Sequence, residues 1–250
     1  MQSLIGHGPS VAGSAAAAGP RFTDRRCRPL GLATVTRAET IARGERALAR
    51  RDRTLARLVR AAGPCTLGKA PRTSHLDSLV RAIVYQQLAG RAAAAIHGRF
   101  LALFDGRSLT PEAVLATPER KLRSVGLSTA KVVAIRDLAE KSIDGTVPLR
   151  SLRRHQDDDV VARLTQVRGI GRWTAEMFLM FQLGRPDVWP VDDFGVRNGY
   201  KLAYELEEMP TPKQLQPLGE AFRPYRSVAA WYCWAAVHLH RGDMLTPGRQ

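Results

Sequence analysis

The stretch Leu164-Thr-Gln-Val-Arg-Gly-Ile-Gly-Arg-Trp-Thr-Ala175 decides how this chain is read. Helical periodicity runs into Gly169-Ile170-Gly171 and resumes at once beyond it. Two glycines flanking one apolar residue allow a tight corner with close backbone approach. Leu164, Val167 and Ile170 are spaced to pin the two helices together. The N–H groups after Gly169 sit at a helix N-terminus, where no intrahelical carbonyl takes them and the helix dipole favours an anion. Arg168 and Arg172 add positive charge on either side. A lone Gly-x-Gly would describe an ordinary corner between two helices. The whole pattern, with Thr174-Ala175 following, describes a backbone seat for a phosphate oxygen, which positions a nucleic acid without reading its sequence.

Outward from that corner, helical spacing dominates from Thr36 onward. Residues 38–62 read as one or two helices with Ile41, Leu48, Leu55, Leu58 and Val59 on one face, ended by Gly63-Pro64. Further helices are predicted over residues 76–87, 92–104, 128–142, 158–167, 174–181, 211–222 and 225–240. Asp105-Gly106 is a turn signal. Thr110-Pro111-Glu112 opens a helix with Thr110 as cap and Pro111 in the first position, and Thr117-Pro118-Glu119 repeats that device. No segment alternates as a strand over a useful length and no internal repeat is visible, so the expected class is all-α.

At 250 residues and 44% hydrophobic, the chain can bury a core in one large domain or two small lobes. A net charge of +15 favours an anionic partner, nucleic acid before membrane. The charge is uneven: residues 1–60 carry +8 and the remainder +7, so the body of the chain is only mildly basic. Cys27, Cys65 and Cys233 lie far apart, with no Cys/His cluster for zinc or an iron–sulfur group, and so sparse a count fits a reducing compartment. No apolar run approaches the roughly 20 residues a membrane span needs. Residues 1–36, rich in Gly, Ala, Ser and Arg with Asp24 as their one acid, read as a disordered basic extension; a transit peptide or an overlong start are the other readings.

Downstream of the corner comes Asp187-Val-Trp-Pro-Val-Asp-Asp-Phe-Gly-Val-Arg197, whose Pro-Val-Asp-Asp segment ends 20 residues after Trp173. Three more blocks accompany it in order: Leu79-Val-Arg-Ala-Ile-Val-Tyr-Gln-Gln-Leu88, Val125-Gly-Leu-Ser-Thr-Ala-Lys131, and Pro224-Tyr-Arg-Ser-Val-Ala-Ala-Trp-Tyr-Cys-Trp234. Over residues 76–242 these resemble the helix–hairpin–helix glycosylases that carry a Gly/Pro-rich loop and an aspartate, within them the 3-methyladenine DNA glycosylase II branch.

The resemblance implies a two-lobed fold with the active-site cleft between the lobes: residues 75–185 in one, residues 37–74 and 186–250 in the other. It makes Asp193 the catalytic carboxylate and Asp192 the neighbouring helix cap, although either aspartate also suits plain N-capping. The chemistry asks for such a group. Breaking a glycosidic bond puts positive charge on the sugar, and a fixed anion stabilises that charge and orients the attacking water. An alkylated purine is already cationic and leaves readily. Trp173 stands where strand-cutting relatives carry a Schiff-base lysine, which implies a monofunctional enzyme. Trp173, Met177 and Trp234 are the implied base pocket, while Trp231 reads as core. Gln87 matches the position that fills the gap left by a flipped base. The implied DNA-binding set is Gln87, Arg168, Gly169, Ile170, Gly171, Arg172 and Thr174; Lys131 and Arg226 read equally as phosphate contacts or solvated charges. Backbone carbonyls of Thr165, Val167 and Ile170 are implied ligands of a monovalent cation, with no catalytic metal or organic cofactor.

The expected activity is removal of alkylated purines such as 3-methyladenine and 7-methylguanine from double-stranded DNA, leaving an abasic site. The expected protein is a monomer without a membrane partner, in the cytoplasm of a bacterium or the nucleus of a eukaryote. The chain departs from the bacterial type member in having only a short basic extension where that protein has an added α/β domain. Two other readings remain open: a glycosylase for oxidised or mismatched bases, and a non-catalytic module that binds damaged DNA.

Overall fold

The computed structural model describes residues 35–70, 73–104 and 109–242. Residues 1–34 of the expected extension, Cys27 and Asp105-Gly106 lie outside the described residues. The described residues form twelve α-helices and no strand: α1 (Arg37–Arg51), α2 (Arg53–Ala62), α3 (His75–Tyr85), α4 (Gly90–Ala102), α5 (Pro111–Ala116), α6 (Glu119–Ser124), α7 (Thr129–Ile143), α8 (Asp157–Leu164), α9 (Arg172–Met177), α10 (Phe194–Ala203), α11 (Pro212–Leu218) and α12 (Arg226–Arg241).

Side-chain caps set most of the starts. Thr36 with Glu39, and Thr211 with Gln214, form capping boxes; Ser74, Thr110 and Ser128 each take the N–H three residues on. Asp52 splits residues 38–62 into two helices, because its carboxylate accepts the Leu55 N–H at 2.9 Å while its own N–H ends α1 on the Leu48 carbonyl. The second Thr-Pro-Glu does not repeat the first. Helix α6 starts at Glu119 with Pro118 as its cap, and the Thr117 hydroxyl turns back to donate to the Ala113 carbonyl at 2.9 Å. Thr117 therefore closes α5 rather than opening α6.

The helices fall into two packing sets. Helices α1 and α2 pack on α12, which also lies along α10; α3 packs on α4 and α7, α5 and α6 on α7, and α8 on α9. One continuous core runs through both sets, from Ile41 to Ala236. Helix α9 carries straight on into a π-helical turn, Phe178–Leu183, where a continuous α-helix to residue 181 was expected. The Arg37 guanidinium, reaching from α1, donates to the Met180 and Phe181 carbonyls at 3.1 and 2.9 Å and so takes up backbone groups that the wider turn leaves free. Gly184 then ends the turn in the left-handed region.

Helix α3 stops at Tyr85, two residues short of the expected end. Gln87 sits at φ +56°, a conformation a non-glycine residue adopts only where its surroundings hold it there. Lys131, from the start of α7, supplies that hold: its ammonium donates to the Val84 and Gln86 carbonyls at 2.6 and 2.9 Å.

Candidate active site

The corner after α8 is built as its sequence predicts. Leu164, Val167 and Ile170 are buried, and the Val167 and Ile170 N–H groups step back to the Leu164 and Val167 carbonyls, each at 3.0 Å. Gly169 takes φ +76°, where a side chain would be strained. Gly171 differs: a methyl group there would meet nothing within 4 Å, so no steric need within the described chain explains it. Gly169, Gly171, Arg168 and Arg172 are exposed. Ile170 and Thr174 are not, at 3% and 7% exposure, so only their backbones can meet a partner. The Arg168 N–H is held by Asp137 at 2.8 Å, which fixes the corner against α7.

Gln86 ties the α3–α4 turn to the same corner, its amide donating to the Gly169 carbonyl at 2.7 Å. The exposed Gln87 and Leu88 therefore stand on a turn braced from two sides, by Lys131 and by the corner. An open hollow of about 630 Å3 lies here, with Gln86, Gln87, Ser128, Lys131, Arg168 and Gly169 among its walls. Burial lowers the Lys131 pKa from its ordinary value. Lys131 and Arg226 thus both have structural partners: Arg226 is paired with Asp187 through Nε, at 2.9 Å.

Asp193 is where three distant segments meet. Its side chain is buried, and both oxygens are held by N–H donors: Oδ1 accepts from the Val196 backbone at 2.7 Å and the Trp234 indole at 2.9 Å, and Oδ2 from the Trp173 indole at 2.7 Å. The bond to Val196 makes Asp193 itself the cap of α10. This corrects the assignment of that role to Asp192, which is exposed. The cap uses Oδ1 alone, and Oδ2, with a single donor, keeps a lone pair for a water, so capping leaves the carboxylate able to act on a ligand.

Gly195 makes room for this arrangement. A Cβ there would lie 2.7 Å from the Trp234 ring and 3.1 Å from Asp193 Oδ1. Trp234 is stacked on Phe181, centroids 5.8 Å apart at 26°. Trp173 is 47% exposed, with its N–H edge on the carboxylate and the rest of the ring offered outward. Met177, one turn further along α9, is partly buried against the core. Trp231 binds the Thr66 hydroxyl at 3.1 Å and packs on the core, as its sequence reading expected.

Two residues at this site carry no signal in the sequence. Phe194, beside the carboxylate, is 64% exposed, an unusual setting for a phenylalanine. Glu176 is 3% exposed on α9; its Oε1 accepts from Arg172 Nε at 2.9 Å, and its Oε2 is buried without a partner. Burial pushes the Glu176 carboxyl up to about 7, against the pull of Arg172 and with a further push from Asp192 and Asp193.

The profile described as HhH-GPD superfamily base excision DNA repair protein matches residues 80–224. The chain is similar to DNA-3-methyladenine glycosylase 1 of Schizosaccharomyces pombe, 38% identical over 165 residues that make up 65% of this chain and 72% of the relative. Among solved structures it is similar to the 3-methyladenine DNA glycosylase of the same yeast in complex with abasic DNA (35% identity, TM-score 0.68, covering 77% of this chain and 95% of that one). A DNA-3-methyladenine glycosidase from Bacillus halodurans is similar too (35% identity, TM-score 0.72, covering 80% and 92%). The glycine corner, the carboxylate and the aromatic rings around it all fall within or beside the matched span, and the chain belongs to the HhH-GPD superfamily of base excision DNA repair proteins.

Proposed function

We propose that this protein is a monofunctional DNA N-glycosylase that removes alkylated purines and leaves an abasic site. The observation that carries the reading is the Asp193 carboxylate, withdrawn from solvent and fixed by two indole N–H groups and one backbone N–H. A carboxylate so oriented stabilises positive charge developing on a sugar without reorganising during the reaction, and the free lone pair of Oδ2 takes the proton of an incoming water. Trp173 offers its exposed ring to an electron-poor base and has no amine to attack the sugar, which supports simple hydrolysis.

DNA approaches along the corner, where the backbone N–H groups from Gly171 onward take a phosphate, the Ile170 N–H being spent on the Val167 carbonyl, and the exposed Arg168 and Arg172 add charge. The open space beside Gly171 suits a partner's backbone. Gln87, on its braced turn, enters the duplex where the damaged nucleotide leaves it, and the base moves into a cleft between the two helix sets. A monovalent cation on the Thr165, Val167 and Ile170 carbonyls would reinforce the phosphate seat. The Val167 carbonyl accepts the Ile170 N–H and keeps a second lone pair for it. The protein acts as a monomer on double-stranded DNA.

A panel of duplexes carrying 3-methyladenine, 7-methylguanine, hypoxanthine, ethenoadenine or 8-oxoguanine tests the substrate class. Release of the methylated purines is expected, and release of 8-oxoguanine alone would overturn the proposal. Asp193→Asn should keep DNA affinity and lose at least about 1,000-fold in base release. Equal release by both proteins would remove Asp193 from the mechanism.

A further inference from the structure

Helix α9 buries a carboxylate that neither the phosphate seat nor the glycosidic chemistry requires. Glu176 lies one turn beyond both Arg172 and Trp173. It is 3% exposed, and only one of its oxygens has a partner. That partner, Arg172, is itself 61% exposed at its side chain, so much of its charge is spent on water. An apolar side chain would fill such a position at lower cost, since a buried carboxylate with one oxygen unpaired is expensive.

The charges that act on Glu176 are Arg172, bonded to its Oε1 from the same helix, and Asp192 and Asp193 on the segment before α10, which Trp173 ties to α9 through its bond to Asp193 Oδ2. The π-helical turn that follows α9 contributes no titratable group. On α8, which packs against α9, Asp157 pairs with Arg185, Asp159 pairs with Arg163, and Asp158 is exposed. Electrostatic coupling is mutual: what Asp193 does to Glu176, an ionised Glu176 does to the space around Asp193.

We propose that Glu176 is a positioning residue of the Asp193 site, whose buried carboxylate orients Arg172 through one oxygen and, when ionised, adds a second negative charge one helical turn from Trp173, the residue whose indole holds the catalytic carboxylate, so that glycosidic cleavage is faster. This rests on Asp193 being the carboxylate that faces the sugar. No atoms are transferred to or from Glu176 in the reaction; it gains or loses only its own proton, to solvent. Its charge acts on the developing oxocarbenium ion through space. Because burial holds its carboxyl up to about 7, that charge is present or absent across the neutral range.

The test is single-turnover release of 3-methyladenine, whose positive charge comes from a ring methyl group and needs no proton. Saturating enzyme is used across the neutral range, with DNA affinity measured alongside. In the wild type the rate should climb about tenfold as the pH rises through roughly 7, a size set by one extra charge at short range in a partly dry site. Glu176→Gln keeps an oxygen for Arg172. It should hold the low-pH rate at every pH, with DNA affinity unchanged within about twofold. Glu176→Asp should restore a pH step. A wild-type rate that is flat across the same range overturns the proposal without any variant, and so does a Glu176→Gln profile that still follows the wild type. Full base release by Asp193→Asn, by contrast, would sink the reading underneath it, whatever Glu176 does.

Discussion

The glycine corner and the Asp193 site sit within one short stretch of chain and are built in opposite ways. The corner is local: three buried apolar side chains within seven residues close it, and what it shows to solvent is backbone. The Asp193 site is assembled from afar, its carboxylate holding one indole 20 residues away and another 41 residues away, and its polar atoms point inward. A phosphate needs N–H groups that water can reach, and a developing cation needs an anion that water cannot screen. Damage to the corner should therefore weaken the grip on DNA and spare the chemical step, while damage around Asp193 should do the reverse.

Among changes that leave the Asp193 carboxylate itself in place, the largest expected effect is at Gly195. An added methyl group in Gly195→Ala meets Trp234 and Asp193 together, and shifting a reacting group by about 1 Å costs roughly 100-fold in rate. Single-turnover base release should fall by that order, with DNA affinity unchanged in a titration. Loss of affinity with an intact rate would mean the two regions are not separable in this way.

Glu176 bears on the same division through stability. Its folded carboxyl titrates near 7, above the ordinary 4.5, so the fold favours the protonated form. That contribution is complete below pH 4.5 and is lost as the pH rises through about 7, beyond which the wild type keeps an ionised carboxylate buried. Glu176→Gln should then be more stable than wild type by roughly 2–3 kcal/mol near pH 8, with the gap closing toward pH 5. Urea unfolding at both values checks it; a gap that does not narrow at the lower pH would exclude titration of Glu176 as its source.

The two indoles come next. Trp234→Phe keeps a ring to stack on Phe181 but removes the N–H on Oδ1, and Trp173→Phe does the same for Oδ2. A hydrogen bond to a charged group contributes about 1.5 kcal/mol or more, so each variant should lose about tenfold in single-turnover rate. Unchanged rates would show that the Val196 N–H alone fixes the carboxylate.

The same contrast decides what could be read from residues alone. The helix start at Thr110 is legible because the cap and the group it serves lie within a few positions. The corner is legible for the same reason. No spacing rule links Trp173, Asp193 and Trp234, so only the family resemblance brings them together before the fold does. The π-helical turn depends on Arg37, 143 residues earlier, and the brace on Gln87 depends on Lys131 and on a Gln86 bond that spans 83 residues. Nothing in the residues around Glu176 marks it. Only the packed fold shows that it faces inward.

The smallest effects separate the two glycines of the corner. In Gly169→Ala the methyl group has room, 3.5 Å from Ala134 Cβ, so the cost comes from φ +76°, about 1 kcal/mol, and should appear as a lower melting temperature. Gly171 has ordinary dihedrals and open space, so Gly171→Ala should melt with the wild type. If DNA packs its backbone against that space, the same methyl group will still weaken binding about fivefold and leave the saturated rate alone, because a phosphate held slightly off its N–H donors loses about 1 kcal/mol. Calorimetry and a binding titration at one fixed salt concentration distinguish the outcomes. Gly171→Ala with full affinity would mean that the duplex passes elsewhere, and that the corner serves the fold alone.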